Sequence, residues 1–208
     1  MIKAVIFDMD GLILDTEKLL VKYWCQAANE AGFPMKREHA LNIRSLARKF
    51  AIPYLQGEFG ESFDYVKIRS RRMELMKQYI DENGLETKPG ITELLDYLDK
   101  KGIPAAIATA TDIQRTEDYL GKVGLRGRFS KIVCAAMVKS GKPSPDIYLY
   151  AANQLGLPAE ECMALEDSPN GVRSASSAGC VTVMVPDLTQ PDDELTGLIF
   201  ARADSLAY

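Results

Sequence analysis

The chain has 208 residues, 47% of them hydrophobic and 26% charged, with a net charge of −4. That supports one domain with a sizeable core, or a domain carrying a smaller insertion, and the acidic balance argues against a nucleic-acid partner, which would want a basic face. Four scattered cysteines (Cys25, Cys134, Cys162, Cys180) and one histidine, His39, argue against a zinc site or a disulfide framework.

Residues 2–7 form a β-rich apolar run that ends in Asp8, Asp10 and Gly11. A short run bounded by turn residues predicts a buried parallel strand. No convincing strand follows between 15 and 84. Thr16 is placed to cap a helix that runs to Glu30, where Gly32 and Pro34 stop it. Pro53, Gly57 and Gly60 punctuate the middle, and a longer helix is predicted over 61–81 before Asn83-Gly84 ends it. From about residue 89 strands and helices alternate. The strands fall at 104–109, 131–135, 162–165 and 181–185, and the helices at 91–101, 112–123, 145–155 and 169–178. Alternation of this kind predicts an α/β fold: a Rossmann-like parallel sheet core with helices on both faces. The expected organisation is an α/β core of residues 1–14 and 85–208, with an all-helical cap domain, 15–84, inserted after the first strand.

In an open parallel sheet, ligands bind outside the carboxyl ends of the strands. Asp8 and Asp10 follow the first strand, Thr109 ends a second, and Glu166 and Asp167 follow a third. Four carboxylates on one rim repel one another strongly enough to protonate some of them. A divalent cation resolves the conflict, and all-oxygen ligation points to magnesium. Asp8-x-Asp10 by itself reads more readily as a solvated acidic turn; the second pair of acids, Glu166 and Asp167, reverses that balance. A phosphoryl group at such a rim also needs a fixed positive charge. Lys142, in Ser140-Gly141-Lys142-Pro143-Ser144-Pro145, sits in a loop that Gly and Pro hold in a defined path, although a loop lysine is commonly just solvated. Thr109 offers a hydroxyl and free backbone N–H groups to a phosphate, or simply caps the next helix. His39 lies in a charged stretch far from these positions, so proton transfer is expected from carboxylates or lysine.

These residues carry a resemblance. Asp8-Met9-Asp10-Gly11-Leu12-Ile13-Leu14-Asp15-Thr16-Glu17, Thr109 after an apolar strand, Gly141-Lys142-Pro143-Ser144-Pro145-Asp146 and Glu166-Asp167-Ser168-Pro169-Asn170-Gly171 occur in the order found in the haloacid dehalogenase superfamily. The chain resembles its β-phosphoglucomutase-like branch, which has a helical cap. The resemblance implies that Asp8 attacks phosphorus and forms an aspartyl-phosphate, and that Asp10 is the acid and then the base. It implies Mg2+ held by Asp8, the Asp10 carbonyl and Asp167, with Glu166 in or beside that set. Thr109 and Lys142 would bind phosphoryl oxygens. Further substrate or phosphate contacts are expected from Met9, Thr16, Ala110 and Arg44.

Three functions compete: a magnesium-dependent phosphatase for a small phosphorylated metabolite, a sugar-phosphate mutase, and a binding protein that has lost the chemistry. The mutases resembled here carry a histidine where this chain has Leu20, and a Gly-x-x-Arg cap loop that is absent from Leu41-Asn42-Ile43-Arg44-Ser45-Leu46. The phosphatase is therefore the expected activity. The expected setting is the cytoplasm, with no membrane or nucleic-acid partner, and a monomer, or a dimer, as the assembly.

Overall fold

In the computed structural model, which describes residues 1–207, six parallel strands form one sheet in the order β3-β2-β1-β4-β5-β6. In chain order the elements are β1 (Ala4–Phe7), α1 (Glu17–Glu30), α2 (Arg37–Asn42), α3 (Arg48–Phe59), α4 (Tyr65–Asn83), α5 (Ile91–Lys101), β2 (Ala105–Thr109), α6 (Ile113–Lys122), β3 (Lys131–Cys134), α7 (Asp146–Gln154), β4 (Cys162–Glu166), α8 (Pro169–Ser177), β5 (Val181–Met184), α9 (Asp193–Leu198) and β6 (Ala201–Arg202).

β1 is buried along its whole length because helices cover both of its faces, which its unbroken apolar run requires. Alternate residues serve the two sides. Val5 and Phe7 join Leu95 and Leu98 of α5 and Leu120 of α6 in one core. Ala4 and Ile6 join Ile147, Tyr148 and Ala151 of α7 and Ala175 of α8 in the other. In register, Phe7 stands beside both Ile107 and Leu165. The N–H of Asp8 then donates to the Leu165 carbonyl at 3.0 Å. The end of β1 is thereby level with the ends of β2 and β4, and that rim is where the acids of the sequence meet.

Helices α1 to α4 lie between β1 and β2 in the chain and build a third core around Trp24, Ala28, Leu55, Phe63 and Ile68. The two segments joining them to the sheet run side by side: Asp15 N–H donates to Glu86 O (2.9 Å) and Lys88 N–H to Ile13 O (2.8 Å). Three details depart from the sequence expectation. α3 runs straight across Pro53 and Gly57, because burying Ala51 and Leu55 outweighs one lost backbone bond. α4 starts at Tyr65, where Asp64 accepts from the Lys67 N–H at 3.0 Å, while Phe63 just before it is committed to the core. α2 was not expected; the Nδ1 of His39 caps it by accepting from the Lys36 N–H at 2.9 Å, which gives that histidine a structural task. Among the described residues, no helix is long and apolar enough to cross a membrane.

Candidate active site

Lys142 is fully buried at the rim, 1% exposed. Its ammonium donates to Asp8 Oδ1 at 2.5 Å and to Glu166 Oε1 at 2.6 Å. The Tyr148 hydroxyl, from α7, donates to the same Glu166 oxygen at 2.6 Å, and Ser168 Oγ lies 3.4 Å from Oε2. Both oxygens of Glu166 therefore have protein donors, and its clearest task is to aim Lys142 at Asp8. Its carboxylate packs so closely on α8 that a Cβ on Gly171 would fall 1.9 Å from Oε2. Gly171→Ala is accordingly expected to displace Glu166, lower stability by about 1–3 kcal/mol and cut kcat by about tenfold or more through the released lysine. Thermal melts and aryl phosphate turnover read the two effects.

Asp10 is held from both sides. Thr16 Oγ1 donates to Oδ1 at 2.6 Å and Thr111 Oγ1 to Oδ2 at 2.7 Å. Thr16 does stand just before α1, but its side chain makes no capping bond; it orients Asp10 instead of capping the helix. Thr109 is not a cap either. Its hydroxyl accepts from the Thr111 N–H at 3.1 Å, and Asp112 caps α6 by accepting from the Arg115 N–H at 3.0 Å. The Met9 side chain is wholly within the core, so a phosphate contact could come only from its backbone N–H. Gly11 turns the chain at φ +88°, and a Cβ there would fall 2.3 Å from Asp167 Oδ2.

Arg44 lines the cavity, but its guanidinium is committed to the core's own acids. It pairs with Asp167 and, at 3.1 Å, with Glu17, and it donates to Thr189 Oγ1 at 3.1 Å. Its carbonyl accepts from Asn170 Nδ2 at 2.8 Å, and the Ala47 N–H donates to the Lys142 carbonyl at 2.8 Å, so the α2–α3 loop is closed down on the rim. That loop also holds Ser45, at φ 53°, three residues before Arg48. A serine thus occupies the left-handed position a glycine would favour, in a Ser-x-x-Arg arrangement that ends at Arg48. Arg48 itself lies 5.8 Å from the Tyr65 ring centroid.

Five buried carboxylates (Asp8, Asp10, Glu17, Glu166 and Asp167) share the rim with two cations paired to them, Lys142 and Arg44. Burial, joined by the charges of Glu166 and Asp10, pushes the Asp8 carboxyl up to about 8 against the pull of Lys142. Burial also lifts Glu17 to about 7 and Asp167 well above its ordinary value, both opposed by Arg44. Burial works against the Lys142 ammonium, yet Asp8 and Glu166 hold it above its ordinary value. Asp8 Oδ2 and Asp167 Oδ1 are buried with no hydrogen-bond partner. Asp8, Glu166 and Asp167 each bring a carboxylate oxygen within 4.8 Å of the others. Orphaned hard oxygens beside an excess of negative charge fit a divalent cation.

The cavity over this rim measures about 100 Å³. Asp8, Asp10, Thr109 and Ala110 line it from the sheet, and Leu20, Trp24, Arg69, Arg72 and Arg115 line it from the helices. Sequence reading missed Glu17, Thr111 and the three arginines. Arg72 did leave a signal: it lies four residues from both Ile68 and Met76, on the helix stripe that should be apolar.

The sequence model of the haloacid dehalogenase-like hydrolase family matches residues 5–185. A phosphorylated carbohydrates phosphatase of Thermotoga maritima is 33% identical over 177 residues, covering 85% of this chain and 82% of that protein. Hexitol phosphatase A of Escherichia coli is also 33% identical, covering 88% and 82%. Among solved structures, CbbY from Rhodobacter sphaeroides in complex with phosphate superposes with a TM-score of 0.82 at 28% identity, covering 100% of this chain and 96% of that one. The β-phosphoglucomutase of Clostridium difficile gives 0.84 at 25% identity, covering 100% and 92%.

Proposed function

Because this chain belongs to the haloacid dehalogenase-like hydrolase family and is a phosphohydrolase, we propose that it cleaves small phosphorylated metabolites through an aspartyl-phosphate on Asp8, with Mg2+ as cofactor. One observation carries this reading: Asp8 has one oxygen fixed by Lys142 and the other, Oδ2, buried and unpartnered beside Asp167 Oδ1. Asp8 would attack phosphorus as the bond to the leaving alcohol breaks. Asp10, aimed by Thr16 and Thr111, would give its proton to that alcohol oxygen. It would then take a proton from the water that attacks the phosphoenzyme, releasing inorganic phosphate and restoring Asp8. Lys142 and Thr109 would hold the phosphoryl oxygens. Asp8, Asp167 and the Asp10 carbonyl would hold the cation, with Glu166 behind them anchoring Lys142. When bound, Mg2+ would neutralise the charge of the carboxylates and of the phosphoryl group together.

Leu20 on the cavity wall supports hydrolysis over transfer to a second sugar hydroxyl, since it offers no group to relay that proton. The α1–α4 unit acts in this reading as the cap domain, moving on the paired linkers near Asp15 and Glu86. The test is turnover of an aryl phosphate with Mg2+ and after EDTA: activity that survives complete chelation would sink the cofactor assignment, and no turnover of any phosphate ester would sink the reading itself.

The Asp10 role has its own signature. Asp10→Asn is expected to slow formation of the phosphoenzyme, read as a rapid-quench burst, by about 10²–10⁴-fold with alkyl phosphates and much less with p-nitrophenyl phosphate, whose leaving group needs no proton, while hydrolysis of the phosphoenzyme slows with both. Equal losses in the burst on both substrates would remove the acid role from Asp10.

A further inference from the structure

On the helical side of the cavity, Arg69 and Arg72 of α4 come together with Arg115 of α6, and neither α4 arginine has the carboxylate that a buried arginine needs. Arg72 is 3% exposed, and its Nε has no hydrogen-bond partner. Its remaining contacts are soft: Met76 Sδ at 3.9 Å and the Trp24 ring, whose centroid is 5.3 Å away. Arg69 donates to Met73 Sδ at 3.2 Å. Among the described residues, neither Arg69 nor Arg72 forms an ion pair with a carboxylate. Arg115 shares itself between Thr111 Oγ1 (3.1 Å) and the half-exposed Asp112 (3.5 Å).

The charges also burden one another. Burial, joined by the charges of Arg115 and Arg69, pushes Arg72 down to about 9, which still leaves it cationic at neutral pH. Burial and Arg115 lower Arg69 in the same way. A cluster of this kind is costly in the free protein, and what relieves it is an anion from outside. Its place is defined by hydrogen bonds: Arg115 donates to Thr111, and Thr111 donates to Asp10. The arginines therefore lie beyond Asp10, the group that protonates the departing oxygen, on the side the leaving alcohol occupies.

We propose that Arg69, Arg72 and Arg115 form a receptor for a second anionic group, a phosphate or a carboxylate, carried on the leaving-group half of the substrate. The proposal rests on the phosphohydrolase reading of the same cavity. It makes the substrates phosphomonoesters of anionic alcohols, not of neutral sugars. Guanidinium forks match either anion in two-point contact. Two uncompensated charges, on Arg69 and Arg72, balance a phosphate dianion, whereas a carboxylate would leave one over.

The test compares kcat/KM in Mg2+ across matched probes that differ only in that group. One set is glycerol 3-phosphate, 3-phosphoglycerate and glycerol 1,3-bisphosphate; a longer set is sorbitol 6-phosphate, 6-phosphogluconate and sorbitol 1,6-bisphosphate. In at least one set, an anionic member is expected to exceed its neutral counterpart by about tenfold or more, mostly through KM; tenfold is about 1.4 kcal/mol. Which anionic member leads separates phosphate from carboxylate. Arg69→Gln and Arg72→Met should each draw the anionic-to-neutral ratio toward one. Arg72→Met should also melt no lower than wild type, since it removes an unpaired buried charge, and inorganic phosphate should raise the wild-type Tm more than that of the variant. Equal kcat/KM for neutral and anionic probes in both sets, or a ratio that survives both substitutions, overturns the receptor. Cleavage of p-nitrophenyl phosphate is read in parallel, so loss of the receptor alone is distinguishable from failure of the phosphohydrolase reading.

Discussion

Asp8→Asn is expected to reduce phosphate ester turnover by at least about 10⁴-fold while the protein remains folded. The amide is nearly the same size, and its oxygen can still accept from Lys142, which also keeps its bond to Glu166. What disappears is Oδ2, the oxygen proposed to attack phosphorus and the atom that the fold leaves buried without a partner. Because burial already disfavours the Asp8 carboxylate, a neutral amide is expected to leave Tm within a few degrees of wild type. Intact-protein mass spectrometry of a quenched reaction supplies the second readout: wild type should carry a phosphoryl adduct on Asp8, and the variant none. Residual turnover within about a hundredfold of wild type would mean that another group attacks phosphorus.

Lys142→Met is expected to have the largest effect on stability. Without the ammonium, Asp8 and Glu166 confront each other in a dry site, with nothing between them but the Tyr148 hydroxyl on the glutamate. Breaking a buried ion pair from one side costs about 3–5 kcal/mol. For a chain of this size that is a fall in Tm of about 6–20 °C. Activity should fall with it, by about 10²-fold or more, through lost phosphoryl binding. The loss should depend on pH in a definite direction. In the folded wild type Asp8 titrates at about 8, above its ordinary 3.8, and Lys142 is the main force pulling it down. A folded-state value raised above the unfolded one gives stability that is lost as pH rises through it. Removing Lys142 raises the value further, so the deficit against wild type should be widest at and above pH 8 and narrow as pH falls toward 4. A deficit that widens on acidification would show that Lys142 serves some purpose other than balancing these carboxylates.

The two experiments separate what Asp8 and Lys142 do. The first removes chemistry and leaves the scaffold. The second removes the charge that makes the scaffold tolerable, and chemistry is lost along with it. Gly171→Ala reaches the same centre from behind, through Glu166 alone, and its smaller effects should fall in the same direction.

The parallel sheet, its two helical faces and the rim of acids were legible in the sequence because local rules fix them. A strand buried on both faces has to be apolar throughout, as β1 is, and parallel strands need helical crossovers. Strand ends point one way, so Asp8, Thr109 and Glu166 had to share an edge. Lys142 was legible only as a lysine in a stiff loop; that it is buried and joined to both Asp8 and Glu166 depends on how the β3–α7 connection folds back over β1 and β4. Thr16 stood at the right position for a reason the sequence could not supply. Its hydroxyl has a local use, at the start of α1, and a distant one, at Asp10, and packing selects the distant one.

The helical side of the cavity was decided by tertiary structure alone. Period and spacing assign residues to a face of a helix, but not to the element that face will meet. Nothing in the sequence pairs Arg44 with an acid; docking of the α2–α3 loop sets it against Asp167 and Glu17. Arg69 reads as an ordinary charge on a long helix and Arg72 only as a charge on its apolar stripe, until α4 and α6 bring them beside Arg115 over the site. Sequence by itself determined the strand-end part of the rim, Asp8, Thr109, Glu166 and Asp167, since each of these follows or ends a strand. Tertiary structure decided which charges oppose that rim and which are left unpaired, because pairing across a cavity depends on the closure of two separately packed cores.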